Sequence, residues 1–254
     1  MTRRRCLWAC LTLLLVAALF ALPSVHWRVI GWFNGEAFFQ GRPTSYWSKE
    51  IHKYNEITAE ERIALSNKPK SWIDELKDRL GLDNRRESDL PAVVEFGPHA
   101  DSAAVPVLVE LLEDSDVEVC AHAASTLGAF GELALPAVPA LIKMLGHPDV
   151  IRRRNAAGTL LAIGPEAKIA IPALIQALHD SDELAWVNNW AANALRQFGP
   201  EAKEAVPTLV KLLHSDRAGI QVKGFSARTV TLADGIASAL KQIDPEAAAK
   251  AGVK

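Results

Sequence analysis

From residue 97 onward, the chain repeats one pattern of apolar and polar positions. Four segments carry apolar side chains at relative positions 0, 3, 4 and 7, which is the spacing of one face of an α-helix. These positions are Val105/Leu108/Val109/Leu112, Val138/Leu141/Ile142/Leu145, Ile171/Leu174/Ile175/Leu178 and Val206/Leu209/Val210/Leu213. A proline follows the first apolar residue each time, in a first turn whose N–H has no helical partner. The pattern predicts four helices.

A second helix is predicted after each of these. The buried stripes expected on the second helices are Val119/Ala123/Ala124/Leu127/Phe130, Arg152/Ala156/Ala157/Leu160/Ile163, Val187/Ala191/Ala192/Leu195/Phe198 and Leu232/Ile236/Ala237/Leu240/Ile243. The aspartates expected to cap their N-termini are Asp116, Asp149, Asp182 and Asp216. Gly97, Gly131, Gly164 and Gly199 recur at intervals of 34, 33 and 35 residues, and Asp244 follows after 45. Because one such helix pair cannot bury its own apolar face, the pairs must stack into an α-solenoid.

The repeated units resemble HEAT repeats, most closely the short bacterial type also named after phycobilisome lyases. The segments that carry the resemblance include AAVPVLVELLEDSDVEVCAHAASTLGAFG and PAVPALIKMLGHPDVIRRRNAAGTLLAIG. It covers about residues 97–250, with a half repeat at 90–97, and implies an armadillo-like superhelix that binds a protein. Many family members place arginine where this chain has Cys120, Arg153, Asn188 and Ala233. A ladder of arginine–aspartate pairs is therefore expected to be mostly absent.

The N-terminus has the composition of a membrane signal. Residues 2–5 read Thr-Arg-Arg-Arg, and residues 6–22 carry no charge. As a helix, that run reaches about 25 Å, slightly less than the roughly 30 Å hydrocarbon core. Trp27, Trp32 and Phe33 follow, and such rings suit a membrane interface. We expect a single-pass anchor in the inner membrane with the bulk of the chain on the exported, periplasmic side. Secretion after signal cleavage and a buried globular helix are the alternatives.

Between the anchor and the array, the chain predicts an irregular helical cap. Thr44-Ser45 is expected to cap a helix with Trp47, Ile51 and Tyr54 on one face. Two further short helices are expected, one beginning at Thr58 and one ending before Gly81. The segment Gly41 to Trp47 is similar to a short motif that often precedes HEAT arrays in exported bacterial proteins.

The predicted organisation has four parts. They are a basic N-terminus (1–5), a transmembrane or signal-anchor segment (6–30), a helical linker and cap (31–96) and an all-α array of about four helix pairs (97–254). The repeats are expected at about 97–130, 131–163, 164–198 and 199–243.

Charge and cysteine content narrow the possible functions. The 254 residues include 28 basic and 30 acidic ones, and 49% are hydrophobic, which excludes a disordered chain. After residue 30 the chain has 24 basic and 30 acidic residues, a net charge of −6 that disfavours nucleic acid as a partner. Cys6 and Cys10 lie in the apolar run, so Cys120 is alone and is expected to be a small buried side chain.

Residues with recognisable chemistry are few. None of the seven histidines is followed by glutamate, as in the His-Glu pairs of HEAT-type hydroxylases, and no HExxH, CxxC or P-loop spacing occurs. We therefore predict no catalytic residue, metal or cofactor, and a scaffold instead of an enzyme. Two alternatives stay open. One is a bilin-lyase-like or other HEAT-family enzyme subunit. The other is a metal ladder formed by His147, His179 and His214 beside Asp149, Asp182 and Asp216.

A helical projection of the second helices gives a candidate surface for a protein partner. The residues expected to point away from the core are Arg154, Asn155, Trp186, Asn189, Trp190, Asn193 and Arg196. The family resemblance places such residues in a concave groove. Their types suit recognition, although Trp186 and Trp190 could instead pack against an extension of their own repeat.

The last repeat contains an insertion at 217–229. It carries Arg217, Lys223 and Arg228 and no acid. The alternation of Ile220 and Val222 with polar residues predicts a small hairpin. It is either a tolerated surface insertion or a basic loop for an acidic partner or an anionic lipid.

Overall fold

The computed structural model describes residues 31–39, 41–56, 102–181, 185–223 and 229–253. The chain forms two compact units, Met1–Glu95 and Phe96–Lys254. The membrane segment before residue 31, the helices expected between 58 and 81, the half repeat at 90–97, Asp182 and Arg228 lie outside the described residues.

In the first unit, a short hairpin leads into a helix. Strands β1 (Phe38–Phe39) and β2 (Arg42–Pro43) pair antiparallel, with Phe38 opposite Pro43. Gly41 in the turn has a φ of 72°, which glycine adopts without strain. Helix α1 (Thr44–Glu56) follows and buries Trp47 and Ile51, each 1% exposed, so the predicted helix and this part of its face are confirmed.

The start of α1 is held differently from the sequence prediction. The Ser45 N–H donates to Glu36 Oε2 at 2.8 Å, and the Thr44 hydroxyl donates to the Ala37 carbonyl at 3.3 Å. Partial burial raises the pKa of Glu36, but the hydrogen bonds from Ser45 and Asn34 outweigh it and leave the pKa lowered. A carboxylate supplied by the preceding loop therefore caps the first turn of α1.

The second unit alternates first and second helices. The first helices are α2 (Val105–Leu111), α4 (Val138–Leu145), α6 (Ile171–Ala177) and α8 (Val206–Leu213). The second helices are α3 (Val117–Phe130), α5 (Val150–Ile163), α7 (Trp186–Phe198) and α9 (Leu232–Ile243), and α10 (Pro245–Lys250) closes the unit. Helix α5 packs between α3 and α7, and α7 packs on α9. The helix pairs thus stack in chain order, as the repeats predict.

The ends of these helices follow the predicted signals at most places. Proline occupies the first turn of each first helix. Asp116 and Asp149 accept backbone N–H bonds at the starts of α3 and α5. Gly131, Gly164 and Gly199 end the second helices with φ of 55°, 104° and 61°, conformations that favour glycine.

Two starts depart from the prediction that an aspartate caps each second helix. Helix α7 begins after Ala185, which has a φ of 51° and makes no side-chain capping bond, so Asp182 is not its N-cap residue. Asp216 does not cap a second helix either. It begins a 3-10 turn, Asp216–Gly219, and the hairpin of β3 (Gln221–Lys223) and β4 (Thr229–Thr231) follows. Thr231 caps α9 instead, in a capping box with Asp234. The structure confirms the small hairpin. Because the hairpin separates the turn from α9, the aspartate is too far from the helix to cap it.

The core follows the predicted stripes in most places, but at the third apolar position of the first helices Val109, Ile142, Ile175 and Val210 are half-buried. On the second helices the stripes are buried, including Arg152 at 7% exposed, except that Ala237 is half-buried and Ala239 is buried. On α8, in the last repeat, only Leu209 of the predicted stripe is buried. Among the described residues, the run Val117–Leu145 is long and apolar enough to cross a membrane. It comprises α3 and α4 of the array and the 3-10 segment Gly131–Ala137 that separates them.

Candidate binding face on the second helices

The predicted surface lies on two adjacent second helices, α5 and α7. The guanidinium carbon of Arg154 on α5 lies 4.9 Å from the ring centroid of Trp186 on α7. This is a cation–π contact between consecutive repeats. We call the set Arg154, Asn155, Trp186, Trp190, Asn193 and Arg196 the Trp–Arg face. These side chains are half-buried, except that of Arg196, which is exposed.

Trp190 faces the same helix boundary. A Cβ added to Gly158 of α5 would lie 3.8 Å from the Trp190 ring, which is ordinary van der Waals distance. Both indoles therefore face α5 of the preceding repeat. Each keeps part of its surface exposed, as an aromatic anchor for a partner requires.

Asn189 does not belong to the face, contrary to the helical projection. It is 3% exposed. The Asn193 amide donates to the Asn189 carbonyl at 2.8 Å and to Asn189 Oδ1 at 3.3 Å. On the other side, a Cβ on Gly235 of α9 would lie 2.9 Å from Asn189 Oδ1. Asn189 is thus part of the packing between α7 and α9.

Asn155 has an amide nitrogen with unused hydrogen-bonding capacity. Its Oδ1 accepts a long bond from Arg154 at 3.5 Å. Its Nδ2 is buried and has no hydrogen-bond partner within the described part of the chain. A buried donor without an acceptor is costly, by about 1–3 kcal/mol.

The charge on α5 and α7 differs from that of the chain as a whole. Neither helix contains Asp or Glu. Exposed acids lie instead on the turns, at Glu113, Glu132, Glu166 and Glu201. Among the described residues, the two helices that carry the Trp–Arg face therefore bear arginine and no acid.

Many family members have arginine at one position of the second helix. In this chain, the side chains at that position contact the turns inside the repeats. Arg153 makes a two-pronged ion pair with Asp180 of the next repeat, with one bond of 3.0 Å, so one rung of the arginine–aspartate ladder is present. Cys120 Sγ donates to the Leu112 carbonyl at 3.2 Å, and Asn188 Nδ2 donates to the Leu178 carbonyl at 2.8 Å. In these two repeats, a shorter side chain satisfies the end of the preceding first helix.

Arg217 of the predicted basic loop joins this network. Its Nη2 donates to Asn188 Oδ1 at 3.0 Å. At least this residue therefore serves the packing of the last two repeats. The side chains of Lys223 and Arg228 lie outside the described part of the structure.

The histidines of the alternative metal ladder make different contacts in different repeats. His147 Nδ1 accepts the Asp149 N–H at 3.0 Å, whereas His214 Nδ1 lies 2.8 Å from the Val210 carbonyl and must donate to it. Across the described ranges, no group of three or more His, Cys, Asp or Glu is arranged to hold a metal ion.

Comparisons with known proteins identify the repeat type. The chain is similar to two engineered proteins solved by the Northeast Structural Genomics Consortium. One is 25% identical over 72% of this chain and 86% of its own, and the other is 24% identical over 70% and 51%, each with a TM-score of 0.45. No curated protein matches the sequence. The family model described as HEAT repeats matches residues 73–162 and 138–221, together more than half of the chain. The chain therefore belongs to the HEAT-repeat family.

Proposed function

We propose that this protein is a bacterial HEAT-repeat scaffold, of the short phycobilisome-lyase type, that binds another protein and has no catalytic activity of its own. HEAT repeats generally serve protein–protein interaction, because stacked helix pairs present an extended surface. In this proposal, the N-terminal segment holds the array at the inner membrane, on its exported side.

The observation that carries the proposal is the Trp–Arg face. Tryptophan and arginine dominate binding hot spots, since they bury a large area and make planar or directional contacts. Here Trp186 is held by Arg154 of the neighbouring helix, and Trp190 faces Gly158 of the same helix. Anchors that are fixed before binding lose little conformational entropy when a partner arrives.

The experiment is site-specific photo-crosslinking in intact cells. A crosslinking amino acid at Asn193 should capture a protein that is then identified by mass spectrometry. The matched control position is Ile169, which is 71% exposed on the turn before α6. Capture at both positions alike would contradict a dedicated face.

Alanine variants then measure the contribution of each anchor. Trp190→Ala and Arg196→Ala should each weaken binding of the captured partner by about 2 kcal/mol, roughly thirtyfold. Far-UV circular dichroism should be unchanged. Unchanged affinity with a lower melting temperature would show that the two side chains only stabilise the fold. Transfer of a bilin chromophore by the purified chain would favour the enzyme alternative.

A further inference from the structure

We infer that the partner segment bound by the Trp–Arg face is acidic and extended, with carboxylates facing Arg154 and Arg196 and apolar side chains on Trp186 and Trp190. This inference rests on the proposed function and specifies the chemistry of the partner.

The three consecutive arginines of α5 have different surroundings, and this difference points to the ligand. Arg152 is buried and donates to the carbonyls of Leu112, Asp114 and Ser115 in the preceding repeat. Arg153 is paired with Asp180. Arg154 contacts the Trp186 ring and Asn155, and no carboxylate in the described part of the chain pairs with it. Its charge is therefore available to a carboxylate from outside.

The second cation of the face is placed similarly. Arg196 is exposed in the last turn of α7, and the described residues provide no acid for it. A chain with a net charge of −6 after residue 30 has many acids that could have neutralised these two sites. Charge complementarity of this kind determines which partners associate quickly and in which register.

The dimensions of the face fit a short extended peptide. Trp186 to Arg196 spans about 15 Å along α7. An extended chain covers that length with about four or five residues. The unpartnered Asn155 Nδ2 offers a donor for a backbone carbonyl or a carboxylate of such a segment, once a small side-chain shift exposes it.

An acidic peptide fits this face better than a nucleic acid does. Proteins that bind DNA tightly use about 6–10 phosphate contacts. The Trp–Arg face supplies two arginines without acidic partners among the described residues. Two charges flanking two indoles match a sequence that mixes acidic and apolar residues.

The test measures fluorescence anisotropy of labelled nonapeptides with the full chain in detergent micelles. A degenerate pool of Asp, Glu, Leu and Phe is compared with a pool in which Asn and Gln replace the acids. The acidic pool should bind about tenfold or more tightly, and the difference should shrink as salt rises to about 0.5 M.

Arginine variants assign the effect to the face. Arg154→Gln and Arg196→Gln should each weaken binding of the acidic pool about tenfold and leave the amide pool nearly unchanged. Lys168→Gln is the control, because it also removes one positive charge but lies outside the Trp–Arg face. Lys168 is 59% exposed and pairs with Glu201 on the turns.

The outcomes separate this inference from the proposed function. If a partner is captured through Asn193 but neither arginine variant weakens its binding, the inference is wrong and the scaffold function stands. If capture shows no preference for the face, the proposed function itself fails. Equal binding of the two peptide pools, no binding of either, or tighter binding of an oligonucleotide would each overturn the acidic-segment inference.

Discussion

Individual small residues set how closely the second helices approach. A Cβ on Gly128 would lie 3.3 Å from the Ala162 side chain, and one on Gly235 would lie 2.9 Å from Asn189 Oδ1. Glycine inside a helix costs up to about 1 kcal/mol relative to alanine. In α9 that cost is offset by the close packing that Asn189 of α7 requires.

We predict that Gly235→Ala destabilises the array. The added methyl group would overlap Asn189 Oδ1, which has little room to move because Asn189 is buried and its Oδ1 accepts a bond from the Asn193 amide. Overpacking of this kind costs about 1–3 kcal/mol, more than the gain in helix propensity. The urea midpoint of the full chain should fall. In Gly158→Ala the new Cβ meets Trp190 at ordinary distance, so its midpoint should hold or rise. If the penalty of Gly235→Ala persists in an Asn189→Ala background, the overlap is not its cause.

The burial of Asn189 could not be predicted from the sequence. A helical projection ranks positions by angle, and it placed the buried stripes of α3, α5 and α7 correctly, even for Arg152. It placed Asn189 at the surface because, at about 100° per residue, that position points away from the buried stripe centred on Ala191. The projection does not include the Asn193 amide or the space left by Gly235, which together allow this polar side chain to be buried.

At the scale of elements, the turns inside the repeats are held by side chains from second helices. The Leu112 carbonyl at the end of α2 accepts one bond from Cys120 and another from Arg152 of the next repeat. Burial raises the pKa of the Cys120 thiol, so it remains a neutral donor. Helix C-termini leave carbonyls without intrahelical partners, and these contacts satisfy them.

We predict that Arg152→Met loosens the first repeat. The variant removes a buried cation and leaves the carbonyls of Leu112, Asp114 and Ser115 without this donor, at a cost of about 2 kcal/mol or more. Hydrogen exchange should quicken around residues 112–117. Lys143→Met is the control, because the Lys143–Glu113 pair is 76% and 62% exposed and is worth less than about 1 kcal/mol. Equal losses in both variants would contradict this role of Arg152.

The elements themselves were predictable where periodicity and caps agree. The prolines in the first turns and the capping aspartates of α3 and α5 were identified from the sequence. The hairpin β1–β2 was not, because two-residue strands are too short to show alternation. Glu36 was missed as a cap because it precedes Ser45 by nine residues, and only the fold of the hairpin brings the two together.

At the scale of the molecule, the array is built from neighbour contacts. Helix α5 touches α3 and α7, and α7 touches α5 and α9. The Trp–Arg face lies on the two central second helices, each of which is therefore supported on both sides. Repeat arrays propagate stability between neighbours, so variants in α3 or α9 should be checked for folding before any change in binding is assigned to the face.

The membrane segment is inferred from composition, since the array gives no information about it. Thr2-Arg-Arg-Arg5 and the uncharged run 6–22 remain the basis of the expectation. The first unit adds one observation. Trp32 and Phe33 are 73% and 76% exposed, with ring centroids 5.2 Å apart. Exposed aromatic side chains shortly after an apolar run suit the interface between lipid and water.

We predict that the full chain stays in the membrane pellet after an alkaline carbonate wash, with its N-terminal peptide intact by mass spectrometry. Leu14→Arg with Val16→Arg should release it, because each arginine near the centre of a spanning helix costs about 2.5–3.5 kcal/mol. Leu133→Arg, at a position that is 48% exposed on the array, should leave the wild-type distribution unchanged. A mature N-terminus near residue 22 in the soluble fraction would instead show that the segment is a cleaved signal. Because that cleavage would leave residues 31–254 whole, the binding experiments on the Trp–Arg face would still apply to the secreted form.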